Sequence, residues 1–516
     1  MAALTTASPT LKSKNMGVIV GALLLSILMA SMDNTIVATA MGTIVGDLGG
    51  LDKFVWVTSA YMVAEMAGMP IFGKLSDMYG RKRFFIFGLI IFMAGSMLCG
   101  TAHSIVELSI YRAIQGIGGG ALIPIAFTIM FDSVPLESRG KLGGLFGAVF
   151  GMSSIFGPLL GAYFTDYIHW SWIFYINLPL GFIALAMIAV FYKESHEHSK
   201  QRIDWGGAVT LVGAVICLMF ALELGGKEFA WDSFFILGLL SAFMLLVIAF
   251  IFIERRAEEP IISFGMFTKQ LFGSSTLIGM FGGAAFITAS VYIPIFIQGV
   301  LGGSATNSGL VLLPMMVGSV VTATLGGFLM NKISFRAIMI PSTFILVVGT
   351  LLLSTLNTES TRFTVTLYMT IVGLGIGASF SVLSNAVIHI FSIRQRGSAT
   401  STLNFVRSLG MTLGITVFGI IQSHQFTKKM ADALGGEQAI SQGLANMDPR
   451  NLLSPATRAN IPPAVLDKIT ATLSSSISYT FMWAIIPAVL ALLFTFTMGG
   501  EKLGPQPENG TSASGH

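Results

Sequence analysis

Fourteen apolar stretches, each ended by charged or turn-forming residues, run through the 516-residue chain. They fall near 16–40, 54–73, 84–102, 107–131, 142–165, 171–192, 206–224, 233–253, 271–299, 307–330, 337–356, 363–390, 398–424 and 477–499. Each is long enough to cross a hydrocarbon core of about 30 Å as a helix. Backbone polar groups must pair internally in lipid, which leaves helices or a closed barrel. Short alternating strands of the barrel type are absent, so the chain is read as an all-α polytopic membrane protein. Its charge content agrees: 10% of residues are charged, against about 25% in soluble domains.

The fourteen spans are oriented by their basic residues. An even count puts both termini on one side. Lys12, Lys14, Lys74, Arg81, Lys82, Arg83, Arg139, Lys141, Lys193, Arg255, Lys332 and Arg396 then share that side with them. Few basic residues, among them Lys53, Lys227 and Arg362, fall on the other. The positive-inside rule makes the first side cytoplasmic. The formal net charge of +4 follows from this asymmetry and implies no nucleic-acid partner. Cys99 and Cys217 both lie within apolar runs, so no disulfide framework is expected.

The chain also repeats itself. IYRAIQGIGGGA at 110–121 aligns with LYMTIVGLGIGA at 367–378, an offset of 257, and Arg139-Gly140 aligns with Arg396-Gly397 at the same offset. The charged stretch GKLSDMYGRKR at 73–83 has a worn counterpart, GFLMNKISFR, at 327–336. Spans 1–6 thus correspond to spans 9–14, with spans 7 and 8 inserted between them. Two six-helix bundles about an axis along the membrane normal are the plan of an alternating-access transporter. The expected organisation is a cytoplasmic tail at 1–15, a first bundle at 16–192, and a linker with two inserted helices at 193–270. A second bundle at 271–499 contains an outside loop at 425–476, and a cytoplasmic tail at 500–516 follows. Pro463 is suited to start a short helix in that loop.

The motifs resemble those of the major facilitator superfamily, in particular its fourteen-helix drug:proton antiporters of Gram-positive bacteria, over nearly the whole chain. The loop motif stands as Gly73, Leu75, Asp77, Gly80, Arg81, Lys82 and Arg83, and the fourth-span motif as Arg112, Gln115, Gly116 and Gly118. The fifth-span antiporter motif stands as Gly157, Pro158 and Gly161, with Ala162 where a glycine is usual. Met32-Asp33-Asn34-Thr35 matches the first-span motif, and Trp170 to Phe174 with Asn177 and Pro179 the sixth-span signature. The resemblance implies export of varied cationic or lipophilic drugs in exchange for protons across the bacterial cell membrane. It implies a monomer with no cofactor beyond the proton gradient. The alternative is a proton-coupled exporter of one metabolite or antibiotic.

Particular residues carry these expectations. Asp33, two-thirds along span 1, is a carboxylate in an apolar run, which costs ~2.5–3.5 kcal/mol on insertion scales. Either it couples proton to drug by holding one or the other at the outer half of the cavity, or it is paired structurally. Glu65, a position not acidic in the family pattern, is either a second contact for cations or a vestibule carboxylate; Glu223 is read as an interface residue. Arg112 needs acceptors or a carboxylate partner, and the resemblance gives it a part in proton transfer. Arg407 in span 13 is read as its analogue or as an interface residue. Gly147 and Gly151, like Gly157 and Gly161, stand four apart and permit close helix approach. Pro158 predicts a bend there. The resemblance implies that this bend packs span 5 against the other half.

For the loop, the resemblance implies a latch in which Asp77 engages the opposite half near the end of span 11. Gly73 lets a helix approach, and Gly80 permits the turn. Two look-alikes fail: Gly68 to Lys74 lacks the Ser/Thr of a phosphate loop, and Gly116-x-Gly118 lies within a span. The seven histidines show no metal-ligand spacing, so no enzyme chemistry is expected.

Overall fold

The computed structural model describes residues 15–49, 55–134, 139–194, 203–226, 228–303, 305–434 and 462–502. The two tails, most of the 193–205 linker and the middle of the 425–476 loop lie outside the described residues. Among the described residues fourteen long helices carry the fold: α1 (Met16–Leu48), α2 (Val55–Tyr79), α3 (Arg81–Gly100), α4 (Ile105–Ser133), α5 (Arg139–Tyr167), α6 (Asn177–Phe191) and α7 (Trp205–Leu224). After them come α8 (Phe234–Glu254), α9 (Gln270–Gly299), α10 (Ala305–Leu329), α11 (Phe335–Leu353), α12 (Arg362–Ile390), α13 (Arg396–Leu434) and α14 (Pro463–Phe496). No strand forms among the described residues. Thirteen stretches among the described residues are apolar and long enough to cross a membrane on length and composition alone, α6 counting together with the single turn before it. The exception is α2, which carries Glu65, Lys74 and Asp77 and packs along α4 and α13.

The internal repeat is visible as helix pairing. In the first half α2 and α3 pack on α4, α1 packs on α5, and α6 packs on α1 and α3. The second half repeats each pair: α10 and α11 on α12, α9 on α13, and α14 on α9 and α11. Contacts between the halves obey the same exchange, α5 on α10 and α2 on α13. The inserted α7 and α8 pack on each other, and α7 lies against α2. This is the expected arrangement of two six-helix bundles with an inserted pair.

The repeated glycines explain why the pairs recur. A Cβ at Gly120 would come within 2.5 Å of the Glu65 carbonyl of α2, and Gly116 faces the Tyr61 carbonyl of the same helix. Gly118 faces the backbone of α3 at Phe92. At the repeat offset, Gly373 and Gly377 face the α10 carbonyls of Met315 and Ser319, and Gly375 faces the α11 backbone at Leu346. The caps repeat as well: the Ser104 hydroxyl accepts from the Glu107 N–H at 3.2 Å, and that of Thr361 from the Thr364 N–H at 3.2 Å. α4 and α12 are accordingly the most enclosed helices, each 83% buried over its most apolar stretch, whereas α8 is 11% buried and faces outward.

One local expectation is corrected. Pro463 does start a helix, but it is not a short separate one: it runs without a break into the last span as the 34-residue α14. Likewise α13 continues to Leu434. Phe426 and Met430 of α13 bury against Ile469 and Leu473 of α14, and the Gln422 amide donates to the Ser476 hydroxyl at 3.1 Å. Mutual burial extends both helices beyond their purely apolar cores.

Candidate functional site

Two polar clusters stand out in an apolar interior. The first is built on α1, α2, α3, α4 and α6. Asp33 is wholly buried, and its carboxylate forms an ion pair with Arg112, also wholly buried. The other carboxylate oxygen accepts from the Gln115 amide at 2.7 Å and the Asn177 amide at 3.0 Å. Those amides also donate to the Ser96 hydroxyl, at 2.6 Å and 3.0 Å. Arg112 donates further to Gln115 Oε1 at 2.6 Å, to the Val57 carbonyl at 3.2 Å and to Asn34 Oδ1 at 3.5 Å. Its guanidinium carbon lies 4.2 Å from the centre of the Tyr61 ring, a cation–π distance.

A guanidinium has five N–H donors and no means of losing its charge, so in lipid it requires this density of acceptors. Asp33 therefore does not line an open cavity; it is enclosed within the first bundle. No equivalent ion pair forms among the described residues of the second half: Met369 and Val372, which occupy the positions of Arg112 and Gln115 in the repeat, are buried and apolar. The glycines of the repeated stretch serve packing in both halves, and its polar residues serve only the first.

Glu65 lies one helical turn beyond Tyr61 on α2. It is partly buried and makes no hydrogen bond or ion pair among the described residues. Arg407 sits in the second half between α9, α12 and α13. It donates to the Ser379 carbonyl at 3.3 Å and to Asn404 Oδ1 at 3.4 Å, and lies 5.3 Å from the Phe380 ring centre. It has no carboxylate partner among the described residues, and it lies on α13, the counterpart of α5 and not of α4, so it is an analogue of Arg112 neither in place nor in pairing.

The second cluster closes one end of the molecule. Gly80, with φ of 111°, is the single residue between α2 and α3, a backbone state that favours glycine. Asp77, at the end of α2, accepts from the Gly397 and Ser398 N–H groups at 2.9 and 2.7 Å. These belong to the first turn of α13, where unpaired N–H groups and the helix dipole favour an anion. The Arg81 guanidinium donates to Asp77 at 3.2 Å and to the Ile393 carbonyl at 2.6 Å, and pairs with Asp132 at the end of α4. Arg396 donates to the other Asp132 oxygen at 2.6 Å. Gly73 faces Ser401 so closely that a Cβ there would overlap the hydroxyl. Of the remaining basic residues, Lys82 donates to the Ala189 and Tyr192 carbonyls at 2.7 and 2.6 Å, and Arg83 is exposed.

The helix that Asp77 engages is thus α13 and not span 11. The repeat supplies the reason: α2 meets α13 as α10 meets α5. Arg396 and Gly397 were visible as a repeated pair, but only the fold brings them to Asp77. Asp132 and Ser398 carried no sequence signal of a partner, being 55 and more than 300 residues from Asp77. The counterpart loop is no latch, since Lys332 and Arg336 form no ion pair among the described residues.

Span 5 packs against the other half, on α10, as the resemblance implied, but the glycines at its bend face another way. Gly157 and Gly161 abut Thr35 and Thr39 of α1, in the same half, and the Thr35 hydroxyl donates to the Ser153 carbonyl of α5 at 3.0 Å. Gly151 is the residue turned to the other half, where a Cβ would lie 3.6 Å from Met316 of α10. Gly147 and Pro158 lie in α5 with them. α1 therefore touches the ion pair through Asp33 and the inter-bundle helix α5 through Thr35.

Two pseudo-symmetric helical bundles, a charged pair held in one of them and a polar latch between them define a membrane transporter and not an enzyme. The sequence profile of the Major Facilitator Superfamily matches residues 23–209 and 205–415, and the chain belongs to that family. It is 54% identical to Multidrug resistance protein 3 of Bacillus subtilis (strain 168) over 497 residues, covering 96% of this chain and 97% of that protein. It is 35% identical to Multidrug transporter protein MdtP of the same organism, over 95% and 94% of the two chains. Among solved structures, the proton:xylose symporter XylE aligns at a TM-score of 0.61 with 15% identity, over 95% and 98% of the two chains. The human organic anion transporter MFSD10 aligns at 0.58 with 14% identity, over 92% and 99%. At such identities the likeness concerns the fold.

Proposed function

We propose that this protein exports cationic, lipophilic drugs of varied structure from a bacterial cell in exchange for protons, by alternating access. The names of its two Bacillus subtilis relatives support drug export. The observation that carries proton coupling is the Asp33–Arg112 pair, a titratable carboxylate kept at a cost in the membrane interior of one bundle only. Protonation of an Asp33 oxygen removes the counter-charge of Arg112, and the guanidinium must then turn to its neutral acceptors. The rearrangement passes along α1 to Thr35 and so to α5, which lies against α10. Glu65, one helical turn beyond Tyr61 on α2, is the carboxylate assigned to the cationic substrate. The charged latch is assigned to the cytoplasmic end, closed in this structure. No cofactor is invoked, and a monomer suffices.

The test is uptake of tetraphenylphosphonium into everted membrane vesicles energised to be acidic inside. Uptake that collapses with an uncoupler is expected, and uptake indifferent to the pH gradient would remove proton coupling. Uptake confined to one compound in a panel of unrelated organic cations would favour a narrow exporter.

A further inference from the structure

Two carboxyl groups meet where the inserted helices begin and end. Asp204 caps the start of α7, and its Oδ1 accepts from the Gly207 N–H at 2.8 Å. Glu254, the last residue of α8, is 3% exposed, and its Oε1 accepts from the Ile261 and Ile262 N–H groups at 3.1 and 3.5 Å. Gly207 makes room for both groups. A Cβ there would lie 2.5 Å from Asp204 Oδ2 and 2.8 Å from Glu254 Oε1, so the two carboxyl groups flank one point. Asp204 Oδ2 and Glu254 Oε2 are buried and have no hydrogen-bond partner.

Two carboxylates pressed together out of water do not both ionise. A cationic side chain, a metal ion or a proton can reconcile such a pair. The charged groups acting on Glu254 are Asp204 and, from α2, Lys74, and Lys74 is already paired with Glu259 at 2.5 Å. Arg255, Arg256 and Glu258, in the chain leading to Ile261, are exposed. Among the described residues no third His, Cys, Asp or Glu joins the pair to make a metal-ligand set. A single proton meets the need, because one carboxyl then donates through its O–H and the other accepts, and both orphaned oxygens gain a partner. The helix ends decide which group carries it. Asp204 stands at the positive end of α7, which favours its anion, and Glu254 at the negative end of α8, which favours the neutral acid. Glu254 Oε1, the acceptor of two amides, is then the carbonyl oxygen of that acid.

We propose that Asp204 and Glu254 form a proton-binding site, Glu254 the acid and Asp204 its acceptor, which fastens the start of α7 to the end of α8. The site is separate from the Asp33 cluster and takes no part in coupling. Release of its proton to water leaves two anions in contact, drives the two helix ends apart and loosens the Lys74–Glu259 tie between the insert and α2. The full chain in lipid nanodiscs, without substrate or gradient, is followed by infrared difference spectroscopy from mildly acid to alkaline pH. A protonated-carboxyl C=O band that shifts in D2O is expected to disappear as the pH rises, and Glu254→Gln should lack that component at every pH. This variant keeps an acceptor for Ile261 and Ile262 and a donor for Asp204, so it should fold. Asp204→Asn keeps a capping side chain but removes the neighbouring charge, so the component should be lost at a lower pH than in the wild type. Melting curves give a second readout. The native chain holds a proton that the unfolded chain has released, so thermal stability should fall as the pH rises through the titration, and Glu254→Gln should remove that slope. Identical spectra for the wild type and Glu254→Gln, or an unshifted midpoint in Asp204→Asn, would overturn the proposal. So would sodium or magnesium ions restoring wild-type stability in alkali while leaving Glu254→Gln unchanged, since the site would then belong to a metal ion.

Discussion

Asp33 and Arg112 are two opposite charges in a medium that tolerates neither alone. Removing one partner of a buried pair leaves the other uncompensated, at about 3–5 kcal/mol. Asp33→Ala is therefore expected to lower the thermal stability of the purified protein markedly. Asp33→Asn retains an oxygen that can accept from Arg112 and should be the milder change, expressing normally and losing only proton-coupled uptake. Full uptake by that variant would exclude Asp33 from coupling. The double variant Asp33→Asn/Arg112→Gln should recover thermal stability relative to Asp33→Ala without recovering coupling, a split read by melting curves beside vesicle uptake. Asp33 was conspicuous in the sequence as a lone acid in an apolar run. Its partners Gln115 and Asn177 stood out only as motif residues, and Ser96, like Tyr61 beneath Arg112, not at all, because residues up to 144 positions apart become neighbours only when five helices converge.

Among elements, α4 and α12 show how glycine placement sets a helix pair. Gly118 and Gly375 face backbone atoms of α3 and α11, which cannot swing aside as a side chain can. Gly118→Ala and Gly375→Ala should each destabilise by about 1–3 kcal/mol, the usual cost of overpacking. The melting temperatures of the two variants should fall by similar amounts; a fall in only one would contradict the equivalence of the halves. Gly73 makes the contrasting case, since its nearest neighbour is the Ser401 side chain. Gly73→Ala should slow transport, and adding Ser401→Gly should restore part of the rate, since the Gly397 carbonyl still lies 2.8 Å from the new Cβ. The glycine periodicity was legible in the sequence. Which neighbour each glycine meets was not, and for Gly157 and Gly161 the structure replaces the opposite half with α1.

For the whole molecule, the latch joins α2, α3 and α4 of one half to α13 of the other through Asp77, Arg81, Asp132 and Arg396. Lys74, in the same stretch, pairs with Glu259 beyond the inserted helices at 2.5 Å, tying the insert to the latch. Asp77→Asn removes the anion from the first turn of α13 and should shift the population toward states open at this end. Transport should slow while substrate binding persists, and distances between spin labels placed on α2 and α13 near the latch should broaden. Lost binding with unchanged distances would give Asp77 a place in the substrate site.

The sequence by itself determined the class of the molecule: membrane-spanning helices, their number, the repeat and the location of the rare charges. These properties are local or periodic, and the bilayer enforces them residue by residue. Only the tertiary structure decided which charges meet. It placed Asp33 on Arg112 inside one bundle, Asp77 on the first turn of α13, Gly157 on α1 and Glu254 beside Asp204. Such pairings join residues tens to hundreds of positions apart, and they depend on the rotation of each helix about its axis, which apolar runs facing lipid on one side and protein on the other leave undefined.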